Sequence, residues 1–195
     1  LSVWKVLMDR YAVMGNPIRH SLSPRIHQLF AEQTQQQLIY EPILVELHEL
    51  PRALQDFQAS GGKGLNITLP FKHQAFQLVD IVSERATQAQ AVNTIAFNAD
   101  GKRFGDNTDG IGFVRDVTQH HQFALRDKHV LLLGAGGAAR GVLGAILAEQ
   151  PANLVIANRT YSKAQALAQA FSVEAVSLEH VARFKFDMII NATSV

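Results

Sequence analysis

Apolar and polar positions along the chain follow two periods, and their alternation predicts strands followed by helices. The predicted strands lie at about 11–14, 38–47, 64–69, 128–133, 153–160 and 187–192. The predicted helices lie at about 24–36, 48–59, 71–80 and 84–91, and after the residues 108, 136 and 161. Pro42 restricts the second strand to a sheet edge, and Asp100-Gly101 favours a hairpin turn. Strands that alternate with helices are typical of an α/β fold.

In the predicted strand 64–69, Ile67 and Leu69 are expected to face one way and Asn66 and Thr68 the other. Pro70 is then expected to end the pairing, and Phe71-Lys72 to open a helix. An amide, a hydroxyl and an ammonium therefore gather where this strand ends. Such a group of side chains is unusual for an ordinary buried strand.

A glycine-rich turn follows the most apolar of the predicted strands. In KHVLLLGAGGAARGVLGAILAE, a strand, a turn with Gly134-x-Gly136-x-x-Ala139 and a helix of small residues follow one another. A bound pyrophosphate needs close backbone approach, and the helix N-terminus offers N–H groups and positive potential. The segment therefore predicts a Rossmann-type dinucleotide site; the alternative is a tight structural turn.

The end of the next strand indicates which dinucleotide is bound. A site for NAD places Asp or Glu there, to bind the ribose 2′-hydroxyl. Here the strand ends in Asn158-Arg159-Thr160, with Lys163 one helical turn further and no carboxylate. Because Arg and Lys would pair with a 2′-phosphate, the pattern favours NADP. The alternative is that both are solvated surface charges.

Polar side chains gather at the ends of elements in the first part of the chain. They are Ser21, Ser23, Asn66, Thr68, Lys72, Asn93 and Asp109. Singly, Ser23 and Asp109 suit helix caps, Asn93 a turn and Lys72 a surface. Jointly, hydroxyls and amides suit a polyol, and an ammonium with a carboxylate suits proton transfer. We therefore predict a substrate domain over 1–108 and a cofactor domain over 109–195.

Composition narrows the classes of function. The chain has 195 residues, 47% apolar and 18% charged, with a net charge of +1. Such a chain is globular and offers no surface typical of nucleic-acid or membrane binding. It has no cysteine, which excludes disulfides and a Cys nucleophile and fits a reducing compartment. We predict no metal site from its histidines and no signal peptide in its opening residues, where Met8 suits a native start.

Seven segments together resemble the shikimate dehydrogenase family. They are YAVMGNPIRHSLSPRIH, GGKGLNITLPFKHQA, AVNTI, GDNTDGIGF, LLLGAGGAARGV, ANRTYSKA and DMIINATS. Their order and spacing follow the family's pattern over nearly the whole chain from Tyr11. The resemblance implies NADP-dependent interconversion of shikimate and 3-dehydroshikimate in aromatic amino-acid biosynthesis. It also implies a cytoplasmic monomer or homodimer.

The resemblance further implies roles for individual residues. Lys72 resembles the family's acid/base lysine and Asp109 its carboxylate partner. The residues that resemble ligands of the substrate are Ser21, Ser23, Asn66, Thr68 and Asn93. Those that resemble cofactor ligands are Gly134, Ala135, Gly136, Gly137 and Ala138 in the phosphate turn, Asn158, Arg159, Thr160 and Lys163 around the adenosine phosphate, and Glu84. The family often has Arg where Lys163 stands.

The family's chains continue past NATS, with a glycine-rich segment and C-terminal helices that supply a Gln to the substrate. Because this Rossmann-type domain is incomplete at its C-terminus, we expect a weakly stable or self-associating chain with an apolar edge strand at 187–192 and little turnover. Two alternatives stay open. One is a quinate/shikimate dehydrogenase that accepts NAD, against which Arg159 argues. The other is a non-catalytic ligand-binding fragment or paralogue.

Overall fold

The computed structural model describes residues 8–193, and these form two compact units. The first unit contains the residues up to Ser83 and the segment Val92–Asp106. The second unit contains Glu84–Ala91 and the residues from Asn107 onward. A short helical segment that precedes the boundary expected from the sequence thus packs with the second unit. The upstream extension expected at residues 1–7 lies outside the described residues.

The first unit is a six-stranded sheet with helices. Its elements are β1 (Asp9–Gly15), α1 (Ser23–Thr34), β2 (Leu38–Leu44), α2 (Leu50–Ala59), β3 (Gly62–Ile67), α3 (Lys72–Phe76), β4 (Ile81–Val82), β5 (Thr94–Phe97) and β6 (Arg103–Asp106). The strand order is β2-β1-β3-β5-β6-β4. β1 runs parallel to β2 and β3, whereas β5 is antiparallel to β3 and β6. β2 is an edge strand, which confirms the prediction from Pro42.

The core of the first unit reflects how its strands and helices are covered. Ala12, Val13 and Met14 of β1 are all buried, because β1 has neighbours on both sides and both of its faces are covered. α2 buries Leu50, Leu54 and Phe57, which recur at helical spacing on one side. β5 and β6 form the predicted hairpin, and Gly101 takes a positive φ of 83° in its turn.

β3 ends earlier than the sequence pattern suggests. The strand stops at Ile67, and the N–H of Thr68 makes one more bond to Met14 O at 2.9 Å. The chain then turns, and the N–H of Phe71 closes the turn on Thr68 O at 3.0 Å. Leu69 is therefore 47% exposed while Ile67 is buried, so the expectation that the two share one face of a strand over 64–69 is wrong for Leu69. α3 is also shorter than predicted.

The second unit is a parallel sheet of four strands with helices, a Rossmann-type arrangement that confirms the predicted fold class. Its elements are α4 (Glu84–Ala89), α5 (Asp109–Arg115), a π-helical turn (Asp116–His120), β7 (His129–Leu133), α6 (Gly137–Ala148), β8 (Asn153–Ala157), α7 (Tyr161–Phe171), β9 (Glu174–Val176), a 3₁₀ segment (Leu178–Arg183) and β10 (Met188–Asn191). The strand order is β10-β7-β8-β9. β9 was not predicted, since three residues are too few to show a period.

β7 lies inside this sheet and contributes to clusters on both of its faces. Val130 and Leu132 pack in one cluster with Leu143 of α6, and Leu131 packs in another with Val155. β10 is an edge strand, as predicted, with Ile190 buried and Ile189 62% exposed. Within residues 8–193, no helix has the length and apolar character that crossing a bilayer requires.

Candidate active site

The turn after β7 contains Gly134, Gly136 and Gly137, and the structural surroundings of the first two differ. Gly134 has a φ of 111°, and its N–H donates to Ala157 O of β8 at 2.8 Å. A Cβ on Gly134 would lie 2.8 Å from Ala192 O, just beyond β10. Both the backbone conformation and the neighbouring strand therefore require glycine at this position. For Gly134, the structural explanation considered from the sequence holds.

Within the described structure, neither the backbone conformation nor a neighbouring atom requires glycine at Gly136. It is the N-cap of α6 in an extended conformation, with φ −93° and ψ −167°, which other residues adopt readily. A Cβ built there would meet no atom within 4 Å. Its lack of a side chain leaves the N-terminal backbone of α6 open to a close approach. This is the property that a bound pyrophosphate needs.

Basic side chains follow β8, next to the strand that leads into the glycine turn. Asn158 donates from Nδ2 to Thr160 O at 2.9 Å, which shapes the turn before α7. Arg159, Thr160 and Lys163 are exposed. In residues 8–193, neither Arg159 nor Lys163 forms an ion pair. Two cations with no carboxylate partner suit an anionic ligand such as a phosphate.

Glu84 is the first residue of α4 and is exposed. It belongs to the same unit as the glycine turn. Of the other predicted residues of that turn, Ala135 precedes the N-cap of α6, and Gly137 and Ala138 are the first residues of α6; all three are partly exposed.

Asp109 lies in the second unit, at the first position of α5. α5 and α6 approach closely at glycines, since a Cβ on Gly110 would lie 2.6 Å from Gly141 O. A Cβ on Gly141 would lie 2.9 Å from Oδ2 of Asp109, so this carboxylate lies against α6. The N–H of Asp109 donates to Oδ1 of buried Asn107 at 3.1 Å. The N-cap of α5 is Thr108, without a side-chain cap bond, so Asp109 does not serve as the cap.

The remaining predicted residues lie in the first unit, around the carboxyl ends of β1 and β3. Because the two strands are parallel, the segments that follow them leave the same edge of the sheet. Asn16 N–H donates to Leu69 O at 2.9 Å and joins these segments. Thr68 lies against Gly15, where a Cβ would come within 2.4 Å of its Cγ2.

The main chains of Lys72 and Asn93 are fixed at the same corner of the first unit. Val92 N–H donates to Lys72 O at 2.8 Å, and Ile67 N–H donates to Asn93 O at 2.8 Å. Lys72 is half-buried and Asn93 is buried. These bonds hold the start of α3 beside the strand that follows Asn93.

Ser21 and Ser23 lie at the start of α1. Ser21 Oγ accepts from the N–H of Ser23 at 3.3 Å. α1 begins at Ser23, with Leu22 as N-cap and no side-chain cap bond, so Ser23 is not the cap. Burial raises the pKa of the Tyr40 phenol, and the smaller effect of the Ser23 side chain lowers it. Both serines are half-buried.

Three residues that the sequence did not single out join this group. Tyr40 of β2 donates its hydroxyl to Asn66 Oδ1 at 2.6 Å, and His27 Nε2 lies 3.4 Å from the same oxygen. Asn66 Nδ2 donates to Thr94 Oγ1 at 3.1 Å. Burial raises the pKa of Tyr40 far above its usual range, and burial lowers the pKa of His27. Tyr40 therefore stays protonated as a donor.

Only the strand pairing could have revealed Tyr40. Val13 of β1 is in register with Pro42 on one side and with Asn66 on the other. Side chains alternate along a strand, so Tyr40 lies on the same face as Asn66. The sequence does not show that β2 and β3 flank β1. The described part of the chain contains no group of three or more His, Asp or Glu residues that could hold a metal ion.

Comparisons with known proteins identify the family. A model of the shikimate dehydrogenase substrate binding domain matches residues 13–95, and a model of shikimate / quinate 5-dehydrogenase matches residues 116–195. The NADP(+) shikimate dehydrogenase of Alkalilimnicola ehrlichii is 53% identical over 192 residues, covering 96% of this chain and 70% of the relative. The chain belongs to the shikimate dehydrogenase family.

Further members of the family are also similar to this chain in sequence and in fold. The NADP(+) shikimate dehydrogenase of Aeromonas hydrophila is 55% identical, with 96% of this chain and 69% of the relative covered. The solved shikimate dehydrogenase of Aquifex aeolicus has a TM-score of 0.89 at 36% identity, covering 97% of this chain and 70% of that one. That of Thermus thermophilus, in complex with NADP(H) and shikimate, has a TM-score of 0.86 at 36% identity, covering 95% and 69%. The chain thus spans about 70% of these shikimate dehydrogenases.

Proposed function

We propose that this chain carries the substrate and cofactor sites of an NADP-dependent shikimate dehydrogenase, which interconverts 3-dehydroshikimate and shikimate in aromatic amino-acid biosynthesis. The observation that carries the cofactor choice is the end of β8, where Arg159 and Lys163 are exposed, lack ion-pair partners in residues 8–193 and have no carboxylate beside them. Relatives named as NADP(+) enzymes and a neighbour solved with NADP(H) and shikimate support the proposal.

The second unit is proposed to hold the cofactor. The backbone of α6 from Gly136 would receive the pyrophosphate, since no side chain is present there and a Cβ would meet no protein atom. Arg159 and Lys163 would pair with the 2′-phosphate, with Asn158 and Thr160 shaping the turn. When bound, the oxidised form NADP⁺ would accept a hydride from the alcohol, and the reduced form NADPH would supply one to the ketone. Ala135, Gly137, Ala138 and Glu84 complete the proposed cofactor residues.

The first unit is proposed to hold the substrate. Shikimate is a polyol with a carboxylate, and the corner formed by α1, β3 and the residues before β5 presents hydroxyls and amides. The proposed ligands are Ser21, Ser23, Asn66, Thr68 and Asn93. Lys72 is the proposed general acid/base: its ammonium form would donate a proton to the carbonyl oxygen during reduction, and its neutral amine form would take the hydroxyl proton during oxidation. Asp109 is proposed as its carboxylate partner, on the family pattern.

The decisive experiment compares two arginines of the second unit. Arg159→Asp should weaken NADP binding by about tenfold to a hundredfold, since a charge-assisted hydrogen bond is lost and a repulsion is added. NAD binding should change far less. Arg126→Asp is the matched control: Arg126 is exposed and precedes β7, whereas the glycine turn follows β7. Its effect on NADP should be small.

Calorimetric titration of the 195-residue chain with NADP and with NAD gives these affinities directly. Oxidation of shikimate with NADP, followed by NADPH absorbance under single-turnover conditions, tests the activity. Equal losses for both dinucleotides in Arg159→Asp would refute the phosphate assignment. If the wild-type chain bound neither NADP nor shikimate, the proposed function would be wrong for this chain.

A further inference from the structure

A continuous series of hydrogen bonds joins two of the proposed substrate ligands, Asn66 and Asn93, inside the first unit. The series begins at the Tyr40 hydroxyl, which donates to Asn66 Oδ1 at 2.6 Å. It continues from Asn66 Nδ2 to Thr94 Oγ1 at 3.1 Å and from Thr94 Oγ1 to Asn93 Oδ1 at 2.8 Å. Tyr40 and Thr94, which are not among the proposed ligands, thus bind the side chains of those that are.

The partners fix which way the amide of Asn66 points. Asn66 Nδ2 also lies 3.2 Å from the backbone oxygen of Asn93, which accepts hydrogen bonds and cannot donate them. The nitrogen must therefore face Asn93, and the oxygen must face Tyr40. Tyr40, whose phenol stays protonated, donates to that oxygen. Two independent partners on opposite sides of the amide agree on one orientation.

The Thr94 hydroxyl connects the amide of Asn66 to the amide of Asn93 by hydrogen bonds. The Thr94 hydroxyl has one hydrogen, and it accepts from Asn66 Nδ2. Its own hydrogen is donated to Asn93 Oδ1 of that buried amide at 2.8 Å. The hydroxyls of Tyr40 and Thr94, together with the backbone oxygen of Asn93, therefore bind the two amides in one arrangement. A ligand that binds these amides meets donors and acceptors already in place, so less ordering accompanies binding.

Tyr40 is itself held in position by its ring. The ring of His27 packs against it edge-on, with centroids 4.0 Å apart and planes at 81°. Since Asn66 Oδ1 is an acceptor, the 3.4 Å contact with His27 Nε2 requires a hydrogen on that nitrogen. Without the Tyr40 hydroxyl, Asn66 Oδ1 would keep only this long contact. The ring packing, in contrast, would survive replacement by Phe.

We propose that Tyr40 and Thr94 are positioning residues for shikimate: their hydroxyls hold the amides of Asn66 and Asn93 in the orientation that binds the substrate's hydroxyl groups. This proposal rests on the proposed function, since it takes Asn66 and Asn93 as substrate ligands. It assigns no direct contact with substrate to Tyr40 or Thr94. Each acts through the side chain that it orients.

The experiment measures shikimate affinity of the 195-residue chain by titration, with side-chain amide signals of asparagine in ¹⁵N-labelled protein as the readout. Tyr40→Phe and Thr94→Val each remove one hydroxyl and nearly preserve shape. Each should weaken shikimate binding about three- to tenfold, the effect of one neutral hydrogen bond. Thr94→Ser keeps the hydroxyl and should restore affinity to within about twofold of the wild type.

Tyr11→Phe is the matched control for Tyr40→Phe. Tyr11 is in register with Tyr40 on the neighbouring strand and is half-buried, but it makes none of the bonds of the series. Its variant should bind shikimate like the wild type. NADP affinity, which depends on the second unit, should be unchanged in all four variants. In Tyr40→Phe and Thr94→Val, the Asn66 amide signals should shift even without ligand.

Each outcome has a defined meaning. Unchanged shikimate affinity in Tyr40→Phe and Thr94→Val, with a wild type that binds, would overturn the positioning roles and leave the proposed function standing. Equal losses in Thr94→Val and Thr94→Ser would show that packing, and not the hydroxyl, matters, and would also overturn the proposal. If the wild type failed to bind shikimate while binding NADP, the substrate assignment would fail, and the positioning roles with it.

Discussion

Replacing Gly134 by Ala should lower the stability of the fold, whereas replacing Gly136 by Ala should weaken nucleotide binding with little effect on stability. At Gly134 the φ of 111° is a conformation that side chains rarely adopt, which costs about 1–3 kcal/mol. The added Cβ would also lie 2.8 Å from the backbone oxygen of Ala192, and overpacking of this kind costs about 1–3 kcal/mol more. Gly134→Ala should therefore lower the free energy of unfolding by about 2–6 kcal/mol.

At Gly136 neither cost applies. The backbone is extended and a Cβ would meet nothing within 4 Å. Ala restricts the unfolded chain more than Gly does, which favours Gly136→Ala by about 0.4–1 kcal/mol, but Ala is a poorer N-cap than Gly by a similar amount. The free energy of unfolding should therefore stay within about 1 kcal/mol of the wild type. The same methyl group would stand where the pyrophosphate is proposed to approach the backbone. We expect NADP affinity to fall at least tenfold, or about 1.4 kcal/mol.

Urea unfolding followed by circular dichroism measures the first effect, and calorimetric titration with NADP measures the second. Together, the two variants distinguish a glycine that the backbone requires from a glycine that leaves space for a ligand, which a sequence motif cannot distinguish. A Gly136→Ala protein that is as unstable as Gly134→Ala would refute the assignment of free space at Gly136. A stable Gly136→Ala protein that binds NADP normally would refute the proposed path of the pyrophosphate.

Three further predictions concern single side chains. Lys72→Met should lower single-turnover shikimate oxidation by about 10²–10⁴ with much less change in shikimate affinity, and a loss confined to affinity would make Lys72 a binding residue only. Lys163→Arg should tighten NADP binding about two- to tenfold, since a planar guanidinium can bind phosphate through two hydrogen bonds, and titration checks this. Burial lowers the pKa of His27 below 6.5, so the unfolded chain binds that proton first and stability falls as pH decreases below this value. In urea unfolding at a series of pH values, His27→Asn should lose this part of the decrease, and an unchanged pH profile would contradict it.

Much of the fold was predictable because its longer elements show clear periods. β7 and β8 are apolar on both faces, α2 carries a regular apolar stripe, and both edge strands that the sequence indicated, β2 and β10, are edge strands. Leu69 was misplaced because a turn interrupts the alternation after Ile67, and β9 was missed because it is short. The alternation of side chains along a strand no longer predicts burial once the chain leaves the sheet.

The candidate site was predictable as a set of residue types but not as a set of contacts. Hydroxyls and amides at the ends of elements stand out in a sequence, whereas Tyr40 and Thr94 look like ordinary strand formers. Their bonds to Asn66 depend on which strands flank β1 and β3, and that is a tertiary property. The distinction between Gly134 and Gly136 depends on β10, which follows them by more than fifty residues in the sequence.

The placement of α4 also bears on how the chain folds during synthesis. The chain passes between the two units at 83/84, 91/92 and 106/107. The segment Glu84–Ala91 is therefore synthesised before all other residues of the second unit, to which it belongs. Ala86 and Ala89 of α4 are buried there, and a Cβ on Gly144 of α6 would lie 3.1 Å from Gln88 Oε1. During synthesis, α4 can therefore pack against its unit only after the β5–β6 hairpin, α5 and α6 have also left the ribosome. Such a separation raises contact order and slows folding. A gene fragment that begins at Asn107 would encode the second unit without one of its own helices.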